Sequence, residues 1–277
     1  MSWLGRLQLH YSRDGHGRTI ALDRHEGPLR VLQRLYPEGP GICHHVLVHP
    51  PGGVAAGDVL EIQASFEPGA HAVLTTPGAT RFYRSEGETA VQRVQLTLAE
   101  GARCEWLPLE NIAYDGCLAE NHLQLDLAPG AQAMGWDVLA LGLPAAGRPF
   151  AHGRFVQHSA WPGLWLERGV IDAEDALLLD SPLGLAGHRV LGMAWLATGS
   201  AWTDRERDGA LEAAREACSS SPLMLNCGVT SPQPQLLVLR VLAHRVEPVM
   251  ALLKEVRAAW RQVVWHQAGG PLRLWAT

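Results

Sequence analysis

Lysine is almost missing from this chain: Lys254 is the only one among 277 residues, and we read the preference for arginine as a bias of composition. Charge as a whole is scarce, at 18% against roughly 25% in an average soluble protein. Broad uncharged surface follows, and such surface suits protein partners. With a net charge of −5 and a pI near 6.2, the chain has no general attraction for nucleic acid or anionic lipid. No segment approaches the roughly 18 uninterrupted apolar residues of a membrane span. The opening MSWLGRLQLHYSRDG also lacks the apolar core of a secretory signal. A cytoplasmic protein with no membrane partner is expected. Cys43, Cys104, Cys117, Cys218 and Cys227 are odd in number and include no CxxC pair, which disfavours a disulfide framework and a structural zinc site. There is no GxSxG elbow and no HExxH, so the two commonest sequence marks of hydrolytic chemistry are absent.

Glycine, by contrast, is plentiful, and HPPGGVAAGDV at 49–59 concentrates it. Gly52 and Gly57 have the spacing of a phosphate-binding loop, but Asp58 and Val59 stand where the lysine and the Ser/Thr should follow. A carboxylate there repels phosphate. The next segment alternates Leu60, Ile62, Ala64 and Phe66 with Glu61, Gln63 and Ser65, which is the period of a strand and not of the helix a phosphate loop opens.

An internal repeat organises the middle of the chain. SFEPGAHAVLTT at 65–76, TLAEGARCEWLP at 97–108 and DLAPGAQAMGWD at 126–137 each run from an alternating strand through a Gly-Ala turn into a second strand. Each unit reads as a hairpin with one apolar face. Successive turns at Gly69, Gly101 and Gly130 are 32 and 29 residues apart. The spacing predicts a mainly β fold, either of stacked antiparallel hairpins or of β-solenoid-like layered sheets. Strand patterns continue through FVQHSAW, LWLERGVI and DALLLD, with a turn at WPG, and LLVLRVLA at 236–243 reads as a buried strand. About two helices are expected near the C-terminus, at 204–218 behind a Thr203/Glu206 capping box and at 248–267 from Pro248 onward. Nothing marks a linker, so 1–277 is read as one domain.

If the Gly-Ala turns share one end of this body, the connections HPPGGVAAGD, TPGATRFYRS, LPLENIAYDGC and LALGLPAAGRPF gather at the other. Their polar residues then converge. Cys43, His44, His45 and His49 invite a metal reading, but on a strand His45 and His49 point one way and His44 the other. They are weak metal candidates beside the plainer reading of strand and loop histidines. Among the carboxylates, Glu110, Asp115 and Asp137 allow a glycosidase-like pair, since layered β folds host carbohydrate-active hydrolases. The plainer reading is that they accept loop N–H groups. A third is a passage that holds a divalent cation loosely enough to release it.

Six stretches, HPPGGVAAGD, TTPGATRFYRS, LPLENIAYDG, AAGRPFAHG, LLVLRVLA and LRLWAT, stand in an order and at spacings that resemble the urease accessory protein UreD family, called UreH in some organisms. The resemblance runs from about residue 40 to the C-terminus. It implies a β-rich chaperone of metallocentre assembly and no enzyme. In that family a UreF-type accessory protein binds the chain, a UreG-type GTPase joins through it, and the complex docks on apo-urease and delivers nickel through a tunnel. No cofactor is bound permanently; nickel is in transit. Carried onto matching positions, Asp58, Glu110 and Asp137 are the candidate groups of the passage or its support, with Arg81 and Arg148 as loop-bracing partners. Asn111 and Cys117 depart from the family's pattern, where Thr or Ser and Ala are expected.

Overall fold

The computed structural model describes residues 2–270 and 272–276; Thr277 of the LRLWAT stretch lies outside them. In chain order the strands are β1 Leu4–Arg13, β2 Thr19–Glu26, β3 Arg30–Leu35, β4 Cys43–Val48, β5 Val59–Phe66, β6 His71–Thr75, β7 Thr80–Phe82, β8 Ala90–Leu98 and β9 Arg103–Leu107. They continue with β10 Asn111–Ala113, β11 Cys117–Leu127, β12 Gln132–Leu141, β13 Gly153–Trp161, β14 Trp165–Asp172, β15 Val190–Thr198, β16 Cys227–Gln233 and β17 Leu236–Ala243. Three α-helices accompany them: α1 Ala176–Asp180, α2 Asp204–Ser219 and α3 Val246–Trp265. The first sheet has the order β14-β13-β11-β8-β5-β1-β2, and the second β16-β17-β15-β12-β9-β6-β4-β3, with β10 and β7 branching from β12.

Of the two arrangements the repeat allowed, the chain adopts the solenoid-like one. Each Gly-Ala turn carries the chain from the first sheet to the second, so β5 and β6, β8 and β9, and β11 and β12 are not hydrogen-bonded hairpins. They are arches. Each strand instead pairs in parallel with its counterpart one repeat on, offset by 32 residues in both sheets and then by 29 in both. Gly69, Gly101 and Gly130 hold φ near +71°, +67° and +75°, the left-handed region that a side chain disfavours. The turns stack, with the Gly69 N–H donating to the Glu100 carbonyl at 3.2 Å. The inward apolar positions of the two sheets form the first core, in which Leu60, Leu74, Leu96, Phe155, Trp161 and Trp195 are buried.

The second core lies on the other face of the second sheet, where Trp136, Leu196 and Leu237 meet Val249, Leu253 and Trp260 of α3, with Ala210 and Ala214 of α2 alongside. Both long helices occur where their signals placed them. The Thr203/Glu206 capping box closes reciprocally at the start of α2, and Pro248 sits in the first turn of α3. DALLLD corrects the strand reading: it forms α1, because the Asp175 carboxylate accepts the Leu178 N–H and caps a turn of helix.

A buried ionic cluster fastens α3 to the sheet. Glu105 of β9 has no solvent exposure; it accepts Arg257 Nε at 2.6 Å and Arg261 Nη1 at 2.5 Å. Arg261 also pairs with Glu38, which accepts His44 Nε2 at 2.8 Å. Burial pushes the Glu105 carboxyl up, but the His71 ring and the two guanidiniums outweigh it and hold the group down at about 2. Because the folded pKa lies below the ordinary 4.5, this contribution to stability is complete above pH 4.5 and is lost as pH falls towards 2. Glu105→Ala strands two buried guanidiniums and should cost on the order of 3–5 kcal/mol, read as a lower urea midpoint. An unchanged midpoint at pH 7 would mean that α3 is held by its apolar face alone.

Candidate functional site

Alternation along the first sheet points every second side chain at the second sheet. In β8 the inward set is Gln92, Val94, Leu96 and Leu98; in β11 it includes Ala119, Asn121, Leu123 and Leu125; in β13 it includes Phe155, Gln157, Ser159 and Trp161. Parallel register sets Asn121 beside Gln92 on one side and Gln157 on the other. The three amides thus form one row. Gln92 Nε2 donates to Asn121 Oδ1 at 3.0 Å, and Asn121 Nδ2 lies 3.4 Å from Gln157 Oε1.

The second sheet completes the row with a carboxylate. Asp137 of β12 accepts Asn121 Nδ2 at 2.6 Å on one oxygen and Asn111 Nδ2 of β10 at 3.3 Å on the other. Burial pushes the Asp137 carboxyl above its ordinary value, against the lowering effect of its amide neighbours. Gln157 Nε2 is buried, and its amide leads the groups that lower the Asp137 carboxyl. The row spans two cavities. Gln92 lines one of about 260 Å³ beneath the glycine-rich loop, together with His49, Thr80 and Arg81. Asp137 and Gln157 line the other, of about 540 Å³, whose walls include Leu139, Ile171 and Leu191. Glu167 of β14 and Arg240 of β17 pair across this second cavity and tie the two sheets together.

The loops lace as their alignment predicts. Val54 N donates to Arg81 O at 2.7 Å, Thr80 N to Glu110 O at 2.9 Å and Gly142 N to Ala113 O at 2.7 Å. The glycine-rich loop serves this packing: a Cβ on Gly53 would lie 2.1 Å from the Tyr83 ring, so the ring rests where only glycine leaves room. Asp58 accepts Trp3 N at 2.8 Å and Ala55 N at 2.9 Å. Both of its oxygens hold backbone. Glu110 is half-buried and its carboxylate makes no hydrogen bond or ion pair among the described residues. Neither of these cavities is lined by two of Asp58, Glu110 and Asp137, although Glu110 directly precedes Asn111, a donor to Asp137.

The bracing expected of Arg81 and Arg148 needs correction. Both side chains are exposed and form no ion pair among the described residues; the bracing runs through their backbones. Arg81 O accepts Val54 N, and Arg148 exchanges hydrogen bonds with Leu143 at 2.6 and 3.1 Å. The histidines separate as strand geometry requires. His44 joins Glu38, His45 points between the sheets with Nδ1 2.7 Å from the Tyr11 hydroxyl, and His49 lines the smaller cavity. Among the described residues no three of His, Cys, Asp and Glu gather as a metal-binding group.

Residue reading missed Gln92, Asn121 and Gln157, although each carries a signal: a polar side chain on the parity that its neighbours give to apolar ones. It also missed Glu105 and its arginines, which are 152 and 156 residues apart in the chain.

His45 offers a measurement at this site. Burial, with Arg34 adding to it, lowers its imidazole from 6.5 to about 4. The unfolded chain therefore binds the proton first, and stability falls as pH drops from 6.5 towards 4, by at most about 1.4 kcal/mol per pH unit. His45→Gln should flatten that slope in urea titrations between pH 6.5 and 4; an unaltered slope would assign it to other groups.

The profile of the UreD urease accessory protein family matches residues 4–276. A protein from Leptothrix cholodnii with the name urease accessory protein UreD is 60% identical over 278 residues, with all of both chains covered. Proteins of the same name from Verminephrobacter eiseniae and Variovorax paradoxus are 59% and 51% identical, again over the whole of both chains.

Proposed function

The chain belongs to the UreD family of urease accessory proteins, and from that premise we propose that it is the scaffold through which nickel passes to apo-urease. A role in urease maturation goes with the family. In the finer reading a UreF-type protein binds the chain, a UreG-type GTPase joins through it, and the assembly docks on apo-urease in the cytoplasm. Nickel is cargo here, held in transit.

The observation that carries this reading is the row Gln92–Asn121–Asp137–Gln157, which puts hydrogen-bonded polar groups between two cavities. A burial this costly is retained where it does work. Amide side chains have an oxygen on one side and NH2 on the other. Asn121 and Asn111 donate to Asp137, and Gln92 donates to Asn121; rotated, these amides would offer oxygens to a cation that has shed water. One carboxylate among neutral amides binds a divalent ion more weakly than a closed set of thiolates and imidazoles would, and weak binding permits release. Entry of a dication beside Asp137 also favours the ionised carboxylate, which burial alone opposes. A glycoside hydrolase needs two carboxylates flanking one bond. Of the carboxylates weighed for that role, Asp115 accepts the Ala151 and His152 N–H groups, Glu110 lines neither cavity, and the second carboxylate in the cavity of Asp137 is Glu167, which is paired with Arg240; passage is therefore the reading we favour.

The test is nickel-dependent urease activity in cells lacking this chain, with the chain or its Asp137→Leu variant restored. Restoration by the unaltered chain is expected, and a loss of about tenfold or more with the variant while its complex with the accessory proteins still assembles. Full activity without the chain would refute the maturation role. Full activity with Asp137→Leu would leave that role standing and remove the passage.

A further inference from the structure

The main path of each sheet ends in two strands with unpaired backbone, and such edges invite another chain unless they are blunted. Three of the four are. β2 carries the charged run Asp23-Arg24-His25-Glu26, Tyr36 Oη donates to Thr19 O at 2.9 Å, and Asp23 pairs with Arg34 of β3. β3 breaks register between Val31 and Arg34. β16 breaks register between Thr230 and Gln233 and contains Pro232. β14 is the least guarded: its inward charge, Glu167, is matched by Arg240 of β17. Its pairing with β13 runs unbroken from Trp165 to Asp172, and it contains neither proline nor lysine. Its solvent face presents Leu166 at 66% exposure and Val170 at 45%, with exposed Arg168 between them.

Charge decides what fits. Arg168 forms no ion pair among the described residues, and its neighbour across the strands is His158. In an antiparallel pairing of β14 with a second copy, the register that sets Leu166 against Val170 also sets Arg168 against Arg168, and like charges directly opposed are unfavourable. Self-pairing in the register that best covers both apolar residues is therefore frustrated. We propose that β14 is a docking edge for an extended segment of a protein partner, added as a further strand of the first sheet, whose outward side chains read apolar, any residue, acidic, any residue, apolar. The apolar pair covers Leu166 and Val170, and the carboxylate meets Arg168. Glu167, Gly169 and Ile171, on the inward parity of the same strand, line the larger cavity, so the added strand lies along its opening. The inference rests on edge chemistry and stands independently of nickel passage.

The probe is the peptide Thr-Val-Thr-Glu-Thr-Val-Thr and its Glu→Lys counterpart, measured against the purified full-length chain by fluorescence anisotropy, with amide exchange to locate the contact. The glutamate peptide is expected to bind on the order of fivefold more tightly, to protect residues 165–172, and to lose its advantage to the lysine peptide on the Arg168→Glu chain. Arg168 is exposed, so the fold survives the change, and an unaltered urea midpoint checks this. Equal binding of the two peptides, no binding at millimolar concentration, protection elsewhere, or a concentration-dependent dimer abolished by Leu166→Glu would each overturn the proposal.

Discussion

A strand that leaves a Gly-Ala turn must return beside its predecessor without a shift, and the rest of the molecule depends on that constraint. Because both sheets advance by the same number of residues per repeat, like positions fall into rows across the strands. Rows of leucine, valine and alanine make a dry seam. Gln92, Asn121 and Gln157 at the same height make a polar thread through it. Equal turns at one end also force every difference in repeat length into the loops at the other, where short β7 and β10 pair and lace those loops into a rigid rim.

Two buried polar features follow from this frame and differ in what they do for it. In the Glu105 cluster each carboxylate oxygen has a guanidinium donor, and the helix bearing them is pinned to the sheet. Such pairing is costly to break, although an apolar replacement of the whole set need not destabilise. The Asp137 row carries one carboxylate among neutral amides, and its ends reach cavities. The difference between them is one of charge balance and access: Glu105 is matched by cations and has no solvent exposure, whereas Asp137 has no cationic partner among the described residues and lines a cavity.

Much of this fold was legible in the amino acids. Gly69, Gly101 and Gly130 announced the repeat, Thr203 with Glu206 announced α2, and period-2 runs located most strands. What periodicity does not contain is the identity of a strand's hydrogen-bonded neighbour: it marks which face is buried, and both a hairpin and an arch bury one. Hence the hairpin reading of each unit failed where the spacing of the units succeeded. DALLLD was ambiguous for a related reason, since a run that short fits helix or strand until Asp175 caps it. At the site, Asp137 was visible as one of three loop carboxylates, and family resemblance added its place beside a passage. Gln92, Asn121 and Gln157 were each visible as polar residues on an inward parity, yet they become a row only once parallel register is known. The Glu105 contacts are purely tertiary and leave no local trace.

Passage of nickel along the row between the sheets can be followed as nickel transfer into apo-urease in a reconstituted complex carrying Asn121→Trp, which fills the middle of the row. The complex should assemble as before while transfer falls to the level seen without this chain. Transfer at the unaltered rate through an assembled Asn121→Trp complex would contradict passage along the row.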